Sequence, residues 1–93
     1  MKEIEFTKAA ENALTSLDIK EQEKAIQLLH AVASNITDPF LTGKINKLIG
    51  PSQNLFAIRL NLRLRIIIEL HEDKINVIDI INHDLFERYF KRG

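Results

Sequence analysis

From Phe56 to Leu70 every even-numbered position is apolar, running through Phe56, Ile58, Leu60, Leu62, Leu64, Ile66, Ile68 and Leu70. Arg59, Asn61, Arg63 and Arg65 occupy odd positions between them. A period of two predicts β-structure with one dry face and a second face free for other work, here carrying three guanidinium groups. The run is far longer than an ordinary strand, so a hairpin is expected, turning near Leu60-Asn61-Leu62. A second hairpin turning at Glu72-Asp73-Lys74 leads into Ile75 to Ile81. Three-residue loops at 60–62 and 72–74 keep odd positions on one face throughout. They set Arg59 opposite Arg63, His71 opposite Ile75, Arg65 opposite Ile81 and Arg63 opposite His83. Ile78 and Ile80 then join the dry face. A two-residue turn would reverse the parity and bury an arginine row, at a cost of roughly several kcal/mol per unpaired ion, so the odd register is expected.

Before this run the periodicity changes. Lys2 to Phe6 alternates and reads as a short strand, and Thr7 is placed to cap a helix carrying Ala10, Ala13, Leu14 and Leu17 at helical spacing. Asp18 either breaks that helix or caps the next. From Lys20 the positions Ala25, Leu28, Leu29, Val32, Ala33 and Ile36 predict a longer amphipathic helix with a charged outer face. Residues 35–52 hold Asp38-Pro39, Gly43 and Gly50-Pro51 and read mostly as loop, with Lys44 to Ile49 briefly extended. Asp84 to Lys91 reads as a short terminal helix capped by Asp84. The order β-α-α-β-β-β with that short C-terminal helix is an α+β layout, two N-terminal helices on one face of a mostly antiparallel sheet. The length of 93 residues sets one domain over 1–93.

Composition narrows the classes. There is no cysteine, which excludes a disulfide framework and a thiolate metal site. Met1 to Phe6 lacks the apolar run of a signal peptide, and no stretch is long enough to cross a membrane. A cytoplasmic protein without membrane association is expected. Formal net charge is +0, which alone argues against a nucleic-acid partner. The distribution argues otherwise: Lys44, Lys47, Arg59, Arg63 and Arg65 fall in residues 39–68 with no acid among them, between two acidic flanks. Local fields decide what docks on a face.

The stretch Leu55 to Ile68, with Ile58-Arg59-Leu60-Asn61 followed by Arg65 leading into an apolar strand, resembles the motif of the RelE/ParE superfamily of small bacterial toxins, and within it the HigB-like ribosome-dependent mRNA interferases. Asp79-Ile80-Ile81-Asn82-His83 is similar to that group's final strand, which ends in a histidine. Lys47-Leu48-Ile49-Gly50 is similar to its lysine- and glycine-bearing loop. The resemblance implies the toxin of a type II toxin–antitoxin system, an endoribonuclease cleaving messenger RNA in the ribosomal A site. It implies a cognate antitoxin as partner, the ribosome and mRNA as targets, and contact with DNA only indirectly through the antitoxin. Arg59 and Arg65 match the motif arginines, His83 the terminal histidine, and Lys47 the loop lysine. Three departures stand out. The chain is neutral where the group is usually basic, Leu64 replaces the aromatic that commonly precedes the second arginine, and Arg63 is an extra cation. They keep an alternative open, a non-nuclease relative such as a ParE-like gyrase inhibitor or a decayed toxin acting only as a binding protein.

The chemistry suits these residue types. RNA cleavage needs the 2′-hydroxyl deprotonated, the phosphorane charge stabilised and the 5′-oxygen protonated. A guanidinium binds phosphate oxygens through a planar fork and stays charged; an imidazole exchanges protons. Arg65, Arg59 and His83 are therefore the expected catalytic set, with Lys44, Lys47, Arg63 and Tyr89 as RNA contacts. No metal-ligand cluster is visible, so chemistry with neither metal nor cofactor is expected. Each residue also has a plainer reading. The arginines could be solvated strand residues pairing with Glu69 or Asp79, worth little in stability. His83 could cap the helix that follows, and the lysines could be simply solvated. Phe86 and Phe90, one helical turn apart, anchor the last helix to the sheet, and Tyr89 beside them could only cover its edge. His30 and His71 read as structural.

Overall fold

The computed structural model describes residues 1–50 and 54–92; Pro51 and Ser52, part of the expected loop, lie outside them. The elements are β1 (Glu3–Phe6), α1 (Lys8–Thr15), α2 (Ile19–Ser34), a 3-10 turn at Pro39–Leu41, β2 (Ile45–Ile49), β3 (Leu55–Arg59), β4 (Leu64–Leu70), β5 (Lys74–Asn82), α3 (His83–Tyr89) and a two-residue β6 (Lys91–Arg92). They form an α+β fold whose sheet has the order β1-β5-β4-β3-β2-β6. Only β1 runs parallel to its neighbour, β5; the remaining pairs are antiparallel. The sheet has two strands more than the expected β-α-α-β-β-β order, because the extended stretch at 45–49 pairs with β3 as β2 and β6 pairs with β2 in turn.

Capping fixes the helices. The Thr7 hydroxyl accepts from Ala10 N (3.1 Å) and donates to Ile78 O (2.6 Å), so it starts α1 and ties it to β5. Asp18 and Glu21 close a capping box on α2, with Glu21 N donating to Asp18 Oδ1 at 2.8 Å. Ala25, Leu28, Leu29, Val32 and Ala33 face the sheet as their spacing predicts, but α2 ends at Ser34, and Ile36 lies beyond it, exposed. His30 is exposed on the outer face of α2 and is not a packing residue.

The two hairpins depart from the expected loops in opposite ways. The first has three loop residues, but they are 61–63: Leu60 N donates to Leu64 O at 3.1 Å, and Arg59 pairs with Arg65, not Arg63. Asn61 explains the shift, since its Oδ1 accepts from Arg63 N (2.8 Å) and Leu64 N (2.9 Å) and closes the turn locally. The second hairpin uses a two-residue turn. His71 N donates to Lys74 O at 2.9 Å, and Leu70, not His71, faces Ile75. Such a turn inverts the face of every later residue, and β5 undoes the inversion with a bulge. Ile68 pairs with Val77 but Ile67 with Asp79, leaving Ile78 as the extra residue. Beyond the bulge Arg65 faces Ile81, and His83 N donates to Arg63 O (2.6 Å), as the odd register predicts.

Ile75, Val77 and Ile80 therefore face the α1/α2 layer with Ile58, Ile66 and Ile68, and Ile78 packs on the other side. That side is not free. Leu48, Leu55, Ala57 and Ile67 bury there under Phe86 of α3, with Ile78, Ile81 and Phe90 at the margin. The sheet is thus covered on both faces, by two helices and by one. Asn82, not Asp84, caps α3, its Oδ1 accepting from Leu85 N at 2.8 Å, and the helix ends at Tyr89, short of Lys91.

Phe86 is 2% exposed, while its neighbour Leu85 is 37% exposed. Phe86→Ala should lower unfolding free energy by about 3–5 kcal/mol, and Leu85→Ala by less than about 1 kcal/mol, both read by urea denaturation. Equal losses would mean that α3 is not held through Phe86.

Candidate active site

Arg59 ends β3 and Arg65 lies in β4, directly opposite each other on the α3 side of the sheet. Because Leu60 and Leu64 make the ladder hydrogen bond beside them, while Arg59 N donates instead to Lys44 O (2.7 Å), this is a non-hydrogen-bonded pair, the kind whose side chains lie closest. Like charges facing each other across two strands are destabilising. The fold thus concentrates positive charge at this point of the sheet at a cost in strand pairing.

The two guanidiniums are held differently. Arg65 is 9% exposed. Its Nη1 donates to Asn61 O (2.7 Å) and Leu64 O (3.0 Å), and its Cζ lies 5.9 Å from the centroid of the Phe86 ring. Its Nη2 lies 3.2 Å from His83 Nδ1. A guanidinium has only donors, so this contact is a hydrogen bond in the neutral tautomer that accepts at Nδ1 and carries its proton on Nε2. Nε2 in turn faces Glu87 Oε1 at 3.6 Å. Arg59 is exposed and makes no side-chain hydrogen bond or ion pair among the described residues. Neither arginine pairs with Glu69 or Asp79: Glu69 Oε1 takes His71 Nε2 (2.7 Å), and Asp79 Oδ1 accepts from Ile80 N (2.8 Å).

Gly43, Asn46, Ala57, Arg59, Arg65 and Phe86 enclose a cleft of about 100 Å³, the size of a small anion with its water. Gly43 has φ +75°, a backbone conformation open to glycine, and nothing would meet a Cβ there within 4 Å. Leu62, Arg63, Asn82, His83 and Asp84 line a second, more open hollow of about 350 Å³. His83 thus stands between the two, touching Arg65 on one side and opening into the second hollow on the other. Asn82 caps α3, which leaves the His83 ring out of the capping role.

The other sequence candidates are placed apart from this cluster. Arg63 is exposed and ion-paired with Glu21 Oε2 (2.7 Å), at the rim of the second hollow. Lys44 donates to Phe40 O (2.8 Å) and lies 4.1 Å from that ring's centroid. Lys47 pairs across to Phe56, whose side chain packs on the α1/α2 side, so it points away from the arginines. Tyr89 is exposed and lines neither hollow. Asn46 and Gly43 were missed. The signal for Asn46 is its alternation with Ile45 and Lys47, which puts it opposite Ala57 once β2 is taken as a paired strand. Among the described residues no three His, Asp or Glu side chains gather in metal-binding geometry.

No protein-family model matches the sequence, and no curated protein sequence does either. Solved structures match the fold over nearly its whole length. The YoeB dimer from Staphylococcus aureus superposes with a TM-score of 0.73 at 21% identity, covering 88% of this chain and 97% of that one. A chain of the E. coli DinJ–YafQ toxin–antitoxin complex gives 0.73 at 13% identity, covering 90% and 94%. The archaeal RelE–RelB complex from Pyrococcus horikoshii gives 0.69 at 13%, covering 87% and 93%. The fold is that of the RelE-like toxins.

The different settings of the two arginines give a direct test. Arg65→Met removes the donor to two carbonyl oxygens and should lower unfolding free energy by about 1–3 kcal/mol. Arg59→Ala should change it by no more than about 0.5 kcal/mol. Equal effects in urea titrations would show that Arg65 is no more embedded than its neighbour.

Proposed function

We propose that this protein is the toxin of a type II toxin–antitoxin pair in the RelE/ParE superfamily, of the HigB-like kind, and that it cleaves messenger RNA in the ribosomal A site within the cytoplasm. The observation that carries the reading is the juxtaposition of Arg59 and Arg65, like charges opposed across a strand pair, with Arg65 Nη2 3.2 Å from His83 Nδ1. The fold shared with YoeB, YafQ and RelE supports it. A cognate antitoxin is part of the proposal, since YoeB, YafQ and RelE each occur in a complex with YefM, DinJ and RelB.

In this reading the scissile phosphate enters the cleft between the arginines. Arg59, exposed and unengaged among the described residues, takes one non-bridging oxygen. Arg65, oriented by two carbonyls, lines the same cleft and faces another. As the 2′-oxygen attacks phosphorus the added charge falls on those oxygens, where a preorganised donor is worth roughly 2–4 kcal/mol. His83 takes up the 2′-hydroxyl proton as general base, its Nδ1 releasing Arg65 Nη2 as the ring is protonated, and the imidazolium so formed gives a proton to the departing 5′-oxygen. Asn46, which lines the same cleft, contacts the phosphate in this reading, and no metal ion is required for any of these steps. Arg63 and Lys44 are committed to Glu21 and Phe40 in the free protein, so an RNA contact from either requires exchanging those partners. Lys47 and Tyr89 could reach RNA only outside the cleft.

The experiment adds purified protein to ribosomes stalled on a defined message and maps the cut sites. Cleavage should be confined to the A-site codon. Arg59→Ala should slow it by roughly 10²–10³ and His83→Ala by roughly 10²–10⁴, with both variants folded by circular dichroism. An intact message on ribosomes that bind the native protein would end the nuclease reading and leave a binding protein on the same fold, to be assayed against DNA gyrase.

A further inference from the structure

Glu21 lies on the first turn of α2, yet its carboxylate serves two elements. Oε1 accepts from Asp18 N (3.3 Å), which completes the capping box. Oε2 is free of that task and takes the β3–β4 turn instead, accepting from Asn61 Nδ2 (3.2 Å) and Arg63 Nη2 (2.7 Å). Helix capping needs only the first oxygen.

Asn61 transmits what Glu21 holds. Its Oδ1 accepts two backbone N–H groups, of Arg63 and Leu64, so its amide nitrogen must face the carboxylate. Its own carbonyl receives Arg65 Nη1 at 2.7 Å. Two residues further on, the Arg63 carbonyl receives His83 N at 2.6 Å. The three-residue turn therefore delivers one carbonyl to the buried guanidinium and one to the backbone that carries the imidazole. The Glu21 side chain, at 16% exposure, is the partly buried partner in its ion pair with Arg63.

Resting on the nuclease reading above, we infer that Glu21 is a positioning residue, which holds Asn61 and thereby sets Arg65 and His83 against each other and against the phosphate. It touches neither substrate nor reacting atoms. Small errors of placement at a reacting centre are costly, up to roughly a hundredfold for about 1 Å, so the effect belongs to the rate of cleavage and not to ribosome binding.

The test sets Glu21→Ala beside Asp18→Ala, which removes the other half of the capping box and leaves Glu21 Oε2 on Asn61. Two readouts are taken: single-turnover cleavage at saturating programmed ribosomes, and the 15N spectrum of the His83 ring in the free protein. Glu21→Ala should slow cleavage roughly tenfold with the half-saturating ribosome concentration unchanged, and should erode the preference for the Nε2–H tautomer. Asp18→Ala should lower Tm by about 4–8 °C and leave both readouts native. Glu21→Gln, which keeps one acceptor oxygen and loses the other, should fall between native and Glu21→Ala. A native rate and a native ring spectrum in Glu21→Ala would overturn the inference, as would parallel losses in Asp18→Ala. If the native protein cleaves nothing, the nuclease reading fails by itself, and the ring spectra still decide whether Glu21 positions the pair.

Discussion

A strand side chain is on one face or the other, and this sheet is buried on both. That constraint governs the β4–β5 hairpin, where two demands conflict. The Glu72-Asp73 turn has two residues and fixes one parity, whereas the far end of the hairpin requires the other, because Arg65 and His83 must emerge on the α3 side. The extra residue at Ile78 reconciles them by letting β5 change sides partway along. Without it, either Ile75 and Val77 would leave the main core or the arginine side would be turned into it. The Thr7 hydroxyl, bonded to the Ile78 carbonyl, ties the first helix to the same irregularity.

The site inherits its geometry from this arrangement. Opposing two arginines in a non-hydrogen-bonded pair works against sheet stability, and the protein offsets it unequally. Arg65 is drawn under Phe86 and bonded to two carbonyls, so it is as much a part of the fold as of the site. Arg59 is left in solvent with its charge available. On the proposed reading, a buried, oriented donor beside an exposed, adaptable one divides between them the tasks of capturing a phosphate and holding it.

Much of this was legible in the chain. Parity required only alternation and the cost of burying an arginine row, and so the facing of Arg65 and Ile81 could be read across a turn whose type could not. Neither turn announces itself with Asn-Gly or Asp-Gly. The first is set by the Asn61 side chain bonding two amides, which moves the pairing of Arg59 by two residues. The unbroken even positions by themselves mark only one buried face. The odd ones held their own signal in Leu55, Ala57 and Ile67, a second apolar row waiting for a cover. Lys47 shows the limit of local charge: it belongs to the electropositive stretch in sequence, yet the pairing of β2 with β3 turns it to the opposite side. Glu21 and Asn61, 40 residues apart, could not be joined without the tertiary structure.

The shortness of α3 has its own consequence. Seven residues do not make a helix that persists in water by itself, so α3 exists on condition that Phe86 stays seated. His83 is its first residue. The durability of the site is therefore not that of the sheet beneath it, whose central strands open only when the whole molecule does, but that of a single turn or two of helix at the margin. Amide protons of α3 should exchange with solvent far sooner than those of β4. In each such opening the imidazole leaves the guanidinium, and the sheet stays folded while the pair is for that moment apart.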